Sequence, residues 1–185
     1  MKYLCKLLCI SFIILLGSCQ YFRYPATKWP YAKDAIHFTF YTSSSLNIVK
    51  SDSHSSASHP LMVCIYQLND SKEFDRLSSS SQEGLYQLLE CNRFGDSVTH
   101  AESFYFQPEK RKTDIYMDRK EHTKKIAIVA GYNDPYTKMK EEHRKITELI
   151  DVIGYHFFPS KEIEPIPMRL HIKLGPEQIE KIEVK

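Results

Sequence analysis

Residues 59–70, His59-Pro60-Leu61-Met62-Val63-Cys64-Ile65-Tyr66-Gln67-Leu68-Asn69-Asp70, decide how the rest of the chain is read. Proline has no N–H to give to a ladder, so Pro60 suits the first position of a strand. Leu61 to Tyr66 then run without a charge, the pattern of a strand covered on both faces at the centre of a core. Directly after it, Asp70-Ser71-Lys72-Glu73 has capping-box form, with Asp70 as N-cap, Glu73 at N3, and Phe74 and Leu77 following. The chain therefore leaves a core strand straight into a short helix. Gln82 to Leu89, with Leu85, Leu88 and Leu89 on one stripe, predicts a second, so that residues 70–91 form a small helical insertion.

Strand signals lie on both sides of this unit. Ala35 to Tyr41 alternates Ile36, Phe38 and Phe40 against His37, Thr39 and Tyr41, which predicts a half-buried strand. Downstream, Phe104 and Phe106 alternate with Ser103 and Tyr105, and Pro108-Glu109-Lys110 turns the chain. Thr113, Ile115 and Met117 then alternate with Lys112, Asp114 and Tyr116. Ile126 to Gly131 is a second fully apolar strand, closed by the turn signal Asn133-Asp134-Pro135. Met168, Leu170, Ile172 and Leu174 alternate again, and a last short strand lies around Ile179 to Val184. Lys138 to Asp151 suits either a helix or a loop and strand. About eight strands around a helical insertion predict a mainly β, two-sheet sandwich over residues 35–185.

The N-terminus is a targeting segment. Lys2 and Lys6 flank a charged n-region, and the uncharged run Leu7–Leu16 is about half the ~20 residues a spanning helix needs, so residues 1–18 read as a signal peptide. Leu16-Gly17-Ser18-Cys19 resembles a lipobox, which would make Cys19 the diacylated first residue of the mature protein. The alternative is an ordinary signal peptide with an incidental cysteine. In lipoproteins of this general kind an Asp after the cysteine commonly retains the protein at the inner membrane; Gln20 stands there instead, which favours the outer membrane. Residues 19–34 form a tether stiffened by Pro25 and Pro30. Its Tyr21, Phe22, Tyr24, Trp29 and Tyr31 either sit at the headgroups or pack on the domain.

Loss of Lys2 and Lys6 takes the formal charge from +2 to zero. A neutral domain has no electrostatic footprint for nucleic acid. About 167 of the 185 residues remain, enough for one domain with its own core. Of the five cysteines, Cys5 and Cys9 leave with the signal and Cys19 is the expected acylation site. Cys64 and Cys91 remain, either as a disulfide suited to an oxidising compartment or as two buried thiols. Ser43 to Ser58 is serine-rich and polar, and reads as a long exposed loop or a strand end plus loop. Such loops in compact domains generally serve binding. His54 and His59 have no cysteines or spaced carboxylates near them in sequence, so no metal site is expected.

Several of these residues together carry a family resemblance. Pro60 to Leu68, Phe74, Gly84-Leu85, Leu88 to Cys91, Gln107-Pro108-Glu109, Asp118-Arg119 and Ile128 to Tyr132 stand in the order and spacing of the outer-membrane lipoproteins of type VI secretion systems. The chain thus resembles the TssJ (SciN, VasD) family, collinearly from Asp34 to about Tyr132, with Leu46-Asn47 and the lipobox in support. The resemblance implies a transthyretin-like sandwich with extra helices, tethered to the inner leaflet of the outer membrane in several copies, with no cofactor and no catalysis. It also implies docking on the periplasmic part of the inner-membrane protein TssM, in the trans-envelope complex. The family's contact loop follows the first strand, which maps onto Asn47 to His59 here and makes Asn47, Lys50, Asp52, His54 and His59 the candidate partner-binding residues. The sequence departs from the pattern at Glu109, where glycine is usual, and at the charged segment Lys138 to Lys145.

Rival functions are a nonlocal hydrolase, a small-ligand carrier and a purely structural envelope lipoprotein. No Gly-x-Ser-x-Gly, His-Glu-x-x-His or phosphate loop is present to support an enzyme. A carrier would need an apolar cavity within the sandwich, because fold alone does not fix function.

Overall fold

The computed structural model describes residues 29–50, 56–80, 82–133, 147–151 and 167–185. The elements are β1 (Ala32–Thr42), β2 (Ile48–Lys50), β3 (Ser56–Ser58), β4 (Leu61–Leu68), α1 (Lys72–Ser80), α2 (Gln82–Leu89), β5 (Val98–Phe106), β6 (Arg111–Arg119), β7 (Lys125–Ala130), β8 (Thr147–Asp151), β9 (Met168–Leu174) and β10 (Ile179–Val184). They build two four-stranded sheets, ordered β10-β9-β1-β6 and β5-β4-β7-β8, and a separate β2-β3 hairpin. The mainly β, two-sheet expectation is met.

β4 is the strand around which the second sheet is laid, because it pairs antiparallel with β5 on one side and β7 on the other. Seven of its eight residues are buried, Met62 being the partly exposed one. Its alternation separates two environments. Tyr66 meets Phe74 and Phe94 and donates its hydroxyl to Leu88 O at 2.6 Å, so the even-numbered face is capped by the helical insertion. The odd-numbered face looks at the first sheet, and the packing of Phe40 on Phe106, centroids 4.5 Å apart, joins β1 to β5 across the interior. One cluster of buried side chains, Phe38, Phe40, Leu61, Ile65, Ile128 and Ile172 among them, fills the space between the layers.

The first sheet is mixed. β1 runs antiparallel to β6 and parallel to β9, a pairing that needs a long crossover between its partners. Ile36, Phe38 and Phe40 are buried against the second sheet while His37 and Tyr41 face outward, as the alternation predicts.

Three expectations are corrected and one open choice is decided. β1 starts at Ala32 rather than Ala35, so the tether ends earlier than residue 34. The segment Ser43–Ser58 contains a short hairpin, β2-β3, with Ile48 opposite Ser58. The Thr147–Asp151 part of the ambiguous region is a strand paired with β7, while 138–146 lies outside the described residues. The capping box is only half made: Asp70 Oδ1 accepts from Lys72 N at 2.8 Å, but Glu73 turns to Arg76, which donates to it through both Nε and Nη2. A bidentate guanidinium outbids the cap amide for that carboxylate.

Candidate functional site

The loop that follows β1 is pinned at one end of the sandwich. Leu46 is fully buried, and the next residue, Asn47, adopts a left-handed backbone with φ of 47°, which asparagine tolerates better than most residues. Its amide side chain then spans three segments. Nδ2 donates to Pro60 O at 3.0 Å, and Oδ1 accepts from Asn133 N at 2.9 Å. The backbone adds Ile48 N donating to Pro176 O at 2.7 Å and His59 N shared between Leu46 O and Asn47 O. Tyr132 OH donates to Gln178 O at 2.7 Å, closing the turn between β9 and β10 onto the same cluster. Four separate stretches of chain thus converge on one rim, and the β2-β3 hairpin stands on it.

The opposite end receives the N-terminal segment. Tyr31 OH donates to Asp118 Oδ2 at 2.7 Å, Asp34 N donates to Asp118 Oδ1 at 3.1 Å, and His122 N donates to Trp29 O at 2.9 Å. The Tyr31 hydroxyl and then the Asp34 amide hold the Asp118 carboxyl below the usual carboxylate range. The Tyr31 hydroxyl and the backbone of Trp29 are therefore tied to the domain; the earlier tether aromatics lie outside the described residues. β1, with 11 residues, covers roughly 33 Å, so the hairpin rim is held that far from where the tether joins.

The predicted residues divide accordingly. Asn47 is 7% exposed with its amide oxygen and nitrogen both engaged, so it is a structural pin and not a contact surface. Lys50 closes β2 opposite Ser56. His59 is exposed on the rim; Asp52, His54 and Cys19 lie outside the described residues. Sequence reasoning missed the other members of the rim, Tyr132, Asn133, Pro176 and Gln178. The turn signal Asn133-Asp134-Pro135 marked one turn but gave no sign that it meets the connection between β9 and β10. Among the described residues no group of three or more His, Cys, Asp or Glu is placed to hold a metal.

Cys64 and Cys91 are free thiols that touch. The hydrogen bond to Cys91, then burial, pushes the Cys64 thiol far up, whereas the same bond holds partly buried Cys91 below the usual cysteine range. Cys91 is the better nucleophile of the two, since the thiolate is the reactive form. Mild oxidation with diamide is expected to remove both thiols from titration and to raise stability by about 3 kcal/mol, the entropy of closing the intervening loop. Two thiols still titratable after oxidation, or an unchanged melting temperature, would count against this pairing.

Comparison with known proteins places this geometry. The family model described as "Type VI secretion lipoprotein, VasD, EvfM, TssJ, VC_A0113" matches residues 34–156, more than half of the chain. Among solved structures, the type VI lipoprotein TssJ1 from Pseudomonas aeruginosa is similar at 18% identity and a TM-score of 0.53, covering 81% of this chain and 95% of that one. Serratia marcescens Lip, a membrane-bound component of the type VI secretion system, is similar at 13% identity and a TM-score of 0.51, covering 80% and 96%. A structure of the type VI protein TssM C-terminal domain from EAEC matches at 16% identity and a TM-score of 0.53, again over 80% and 96%. No curated protein sequence matches significantly. At these identities the structures speak for the fold, and the family model speaks for descent. The family is one of structural lipoproteins and not of enzymes. This chain belongs to the type VI secretion lipoprotein family.

Proposed function

We propose that the protein is anchored to the periplasmic face of the outer membrane through lipid on Cys19, and that it docks a TssM-like inner-membrane protein of the secretion complex with its hairpin rim. The observation that carries this reading is the pinning of the loop after β1 by Asn47, which holds the hairpin and His59 rigidly at the end away from the tether. A preformed loop loses little conformational freedom on binding, and preorganisation of this kind converts contact area into affinity. Two or three acyl chains hold a domain stably where one does so only reversibly. Several tethered copies in one assembly multiply the effective concentration offered to the partner.

The test is binding of the lipidated protein in detergent to the periplasmic part of a TssM-like protein from the same organism. Asn47→Ala is expected to lower stability by about 2 kcal/mol through two lost hydrogen bonds and a strained backbone, and to weaken binding about tenfold. Asn47→Gly, which keeps the left-handed backbone, recovers part of the stability but not the binding. Tyr86→Ala, on the helical side, leaves affinity unchanged. Wild type failing to bind, or both Asn47 variants binding as tightly as wild type, would overturn the reading. Cys19→Ala is expected to release the protein from the outer-membrane fraction.

A further inference from the structure

The domain is electrically two-faced across its thickness. On the outer face of the first sheet the cross-strand registers Tyr41↔Lys112, Tyr41↔Lys173 and Lys181↔Lys173 set three lysines and a tyrosine in one row. Arg169 lies further along the same face, opposite His37, and Lys110 and Arg111 stand at the rim, where they line the groove beside the row. Asp114, Glu180 and Glu183 are anions beside this row, and they pair with Lys112, Lys173 and Lys181, while Asp118 further along β6 takes the Tyr31 hydroxyl. The lysine side chains stay more than half exposed within those pairs, and surface pairs of this kind are weak enough to be shared with another anion. On the opposite side, the stretch from Asp70 to Glu102, which contains both helices, carries seven acids against three bases.

Two further features select the occupant. Tyr41 and Tyr116 stand exposed on the basic face, 38% and 62%, with Tyr116 stacked on His37. Tyrosine beside lysine is the composition of surfaces that rest at headgroup level. An open groove of about 640 Å³, lined by Tyr41, Ser43, Arg111, Lys112, Lys173 and Lys181, offers several cations to one phosphate. A family lipoprotein is also held beside a bilayer by its anchor, which keeps the lipid surface within reach at all times.

We infer that the outer face of the β10-β9-β1-β6 sheet binds anionic phospholipid headgroups, so that the anchored domain lies on the bilayer with its acidic helical side turned away. Attraction to the basic face and repulsion of the helical side act in the same sense. The inference rests on the lipid anchor and not on docking to a partner, so either reading can fail alone.

The test uses the lipidated protein in nanodiscs of phosphatidylcholine, with or without phosphatidylglycerol, and maps lysine acetylation by mass spectrometry. With phosphatidylglycerol, Lys112, Lys173 and Lys181 are expected to react several-fold more slowly while Lys72, on the first helix, is unchanged. The protection disappears at high salt, where the screening length shrinks to ~3 Å. Lys173→Gln combined with Lys181→Gln, both exposed, abolishes the protection of Lys112 and, because exposed pairs of this kind contribute little, leaves the melting temperature nearly unchanged. Equal reactivity in both discs overturns the inference. So does equal protection in neutral discs, which would mean that a second copy covers the face. Protection by inorganic phosphate at matched ionic strength would make the groove a site for free anions instead, and also overturns it.

Discussion

Gln67→Leu is expected to lower the unfolding free energy by about 4 kcal/mol, although the two side chains are close in size. Gln67 is fully buried near the end of β4, and its amide makes three hydrogen bonds to the end of β6 and the connection that leads on to β7. Nε2 donates to Asp118 O at 2.7 Å, and Oε1 accepts from Lys120 N at 2.8 Å and Thr123 Oγ1 at 3.0 Å. β6 belongs to one sheet and β4 and β7 to the other, so this side chain bolts the two sheets together where the chain crosses between them. Leucine supplies no partner, and a polar group left buried and unpaired costs about 1–3 kcal/mol each. Thr123 can turn its hydroxyl to Thr99, 2.9 Å away, but Asp118 O and Lys120 N have no such recourse to that side chain.

Urea denaturation at constant m-value checks this, and a variant within about 1 kcal/mol of wild type would sink it. Gln67→Glu gives a second readout with a definite sign. Burial raises the folded pKa of a glutamic acid above its unfolded value of about 4.3. The variant's stability relative to wild type is therefore highest below that pH, where the protonated acid donates to Asp118 O, and falls as pH rises through the folded pKa. Because Asp118 also receives Tyr31 and the Asp34 amide, loss of the Gln67 bolt is expected to loosen the N-terminal segment, visible as faster amide exchange at Asp34.

How much of this was legible follows from which signals are local. β4 could be read from eight consecutive residues because both of its faces are buried, and β1, β6 and β9 because apolar and polar residues alternate along them, whereas β5 alternates only over its last residues, Phe104 to Phe106. The β2-β3 hairpin could not. Ser56, Ala57 and Ser58 are small and largely exposed, so they carry no periodicity, and their pairing is fixed by Asn47 and Pro176 from elsewhere. Asn47 drew notice as a residue of an exposed loop, whereas its side chain joins segments as far apart as Pro60 and Asn133. Gln67 was invisible for the same reason, since a polar residue at the end of an apolar run looks like the run's boundary until its three distant partners are known. The basic face is legible only once register sets Lys112, Lys173 and Lys181 side by side.

Gly84→Val is expected to cost about 4 kcal/mol and to detach the helical insertion from β4. A Cβ at position 84 would lie 2.5 Å from Leu77 O, 3.0 Å from Leu77 Cα and 3.1 Å from Leu77 C. All three atoms are backbone of α1, so no rotamer change can relieve the contact. Glycine within a helix ordinarily costs about 1 kcal/mol relative to alanine, and its presence in buried α2 is explained by this close crossing. The two effects oppose each other in Gly84→Ala, where contact outweighs propensity and a net loss of about 2 kcal/mol remains. In Gly84→Val the branched side chain leaves α1 no position against α2, and the cover formed by Phe74, Leu77, Leu85 and Leu88 opens. Tyr66 then loses Leu88 O, and Cys64 loses both its cover and its contact with Leu89 O. The local readout is therefore thiol labelling: Cys64, buried in wild type, reacts with a maleimide in the valine variant under native conditions while β1 and β9 keep slow amide exchange. A Gly84→Ala variant as stable as wild type would show that the helices can part at no cost, and the account of the crossing would fall with it.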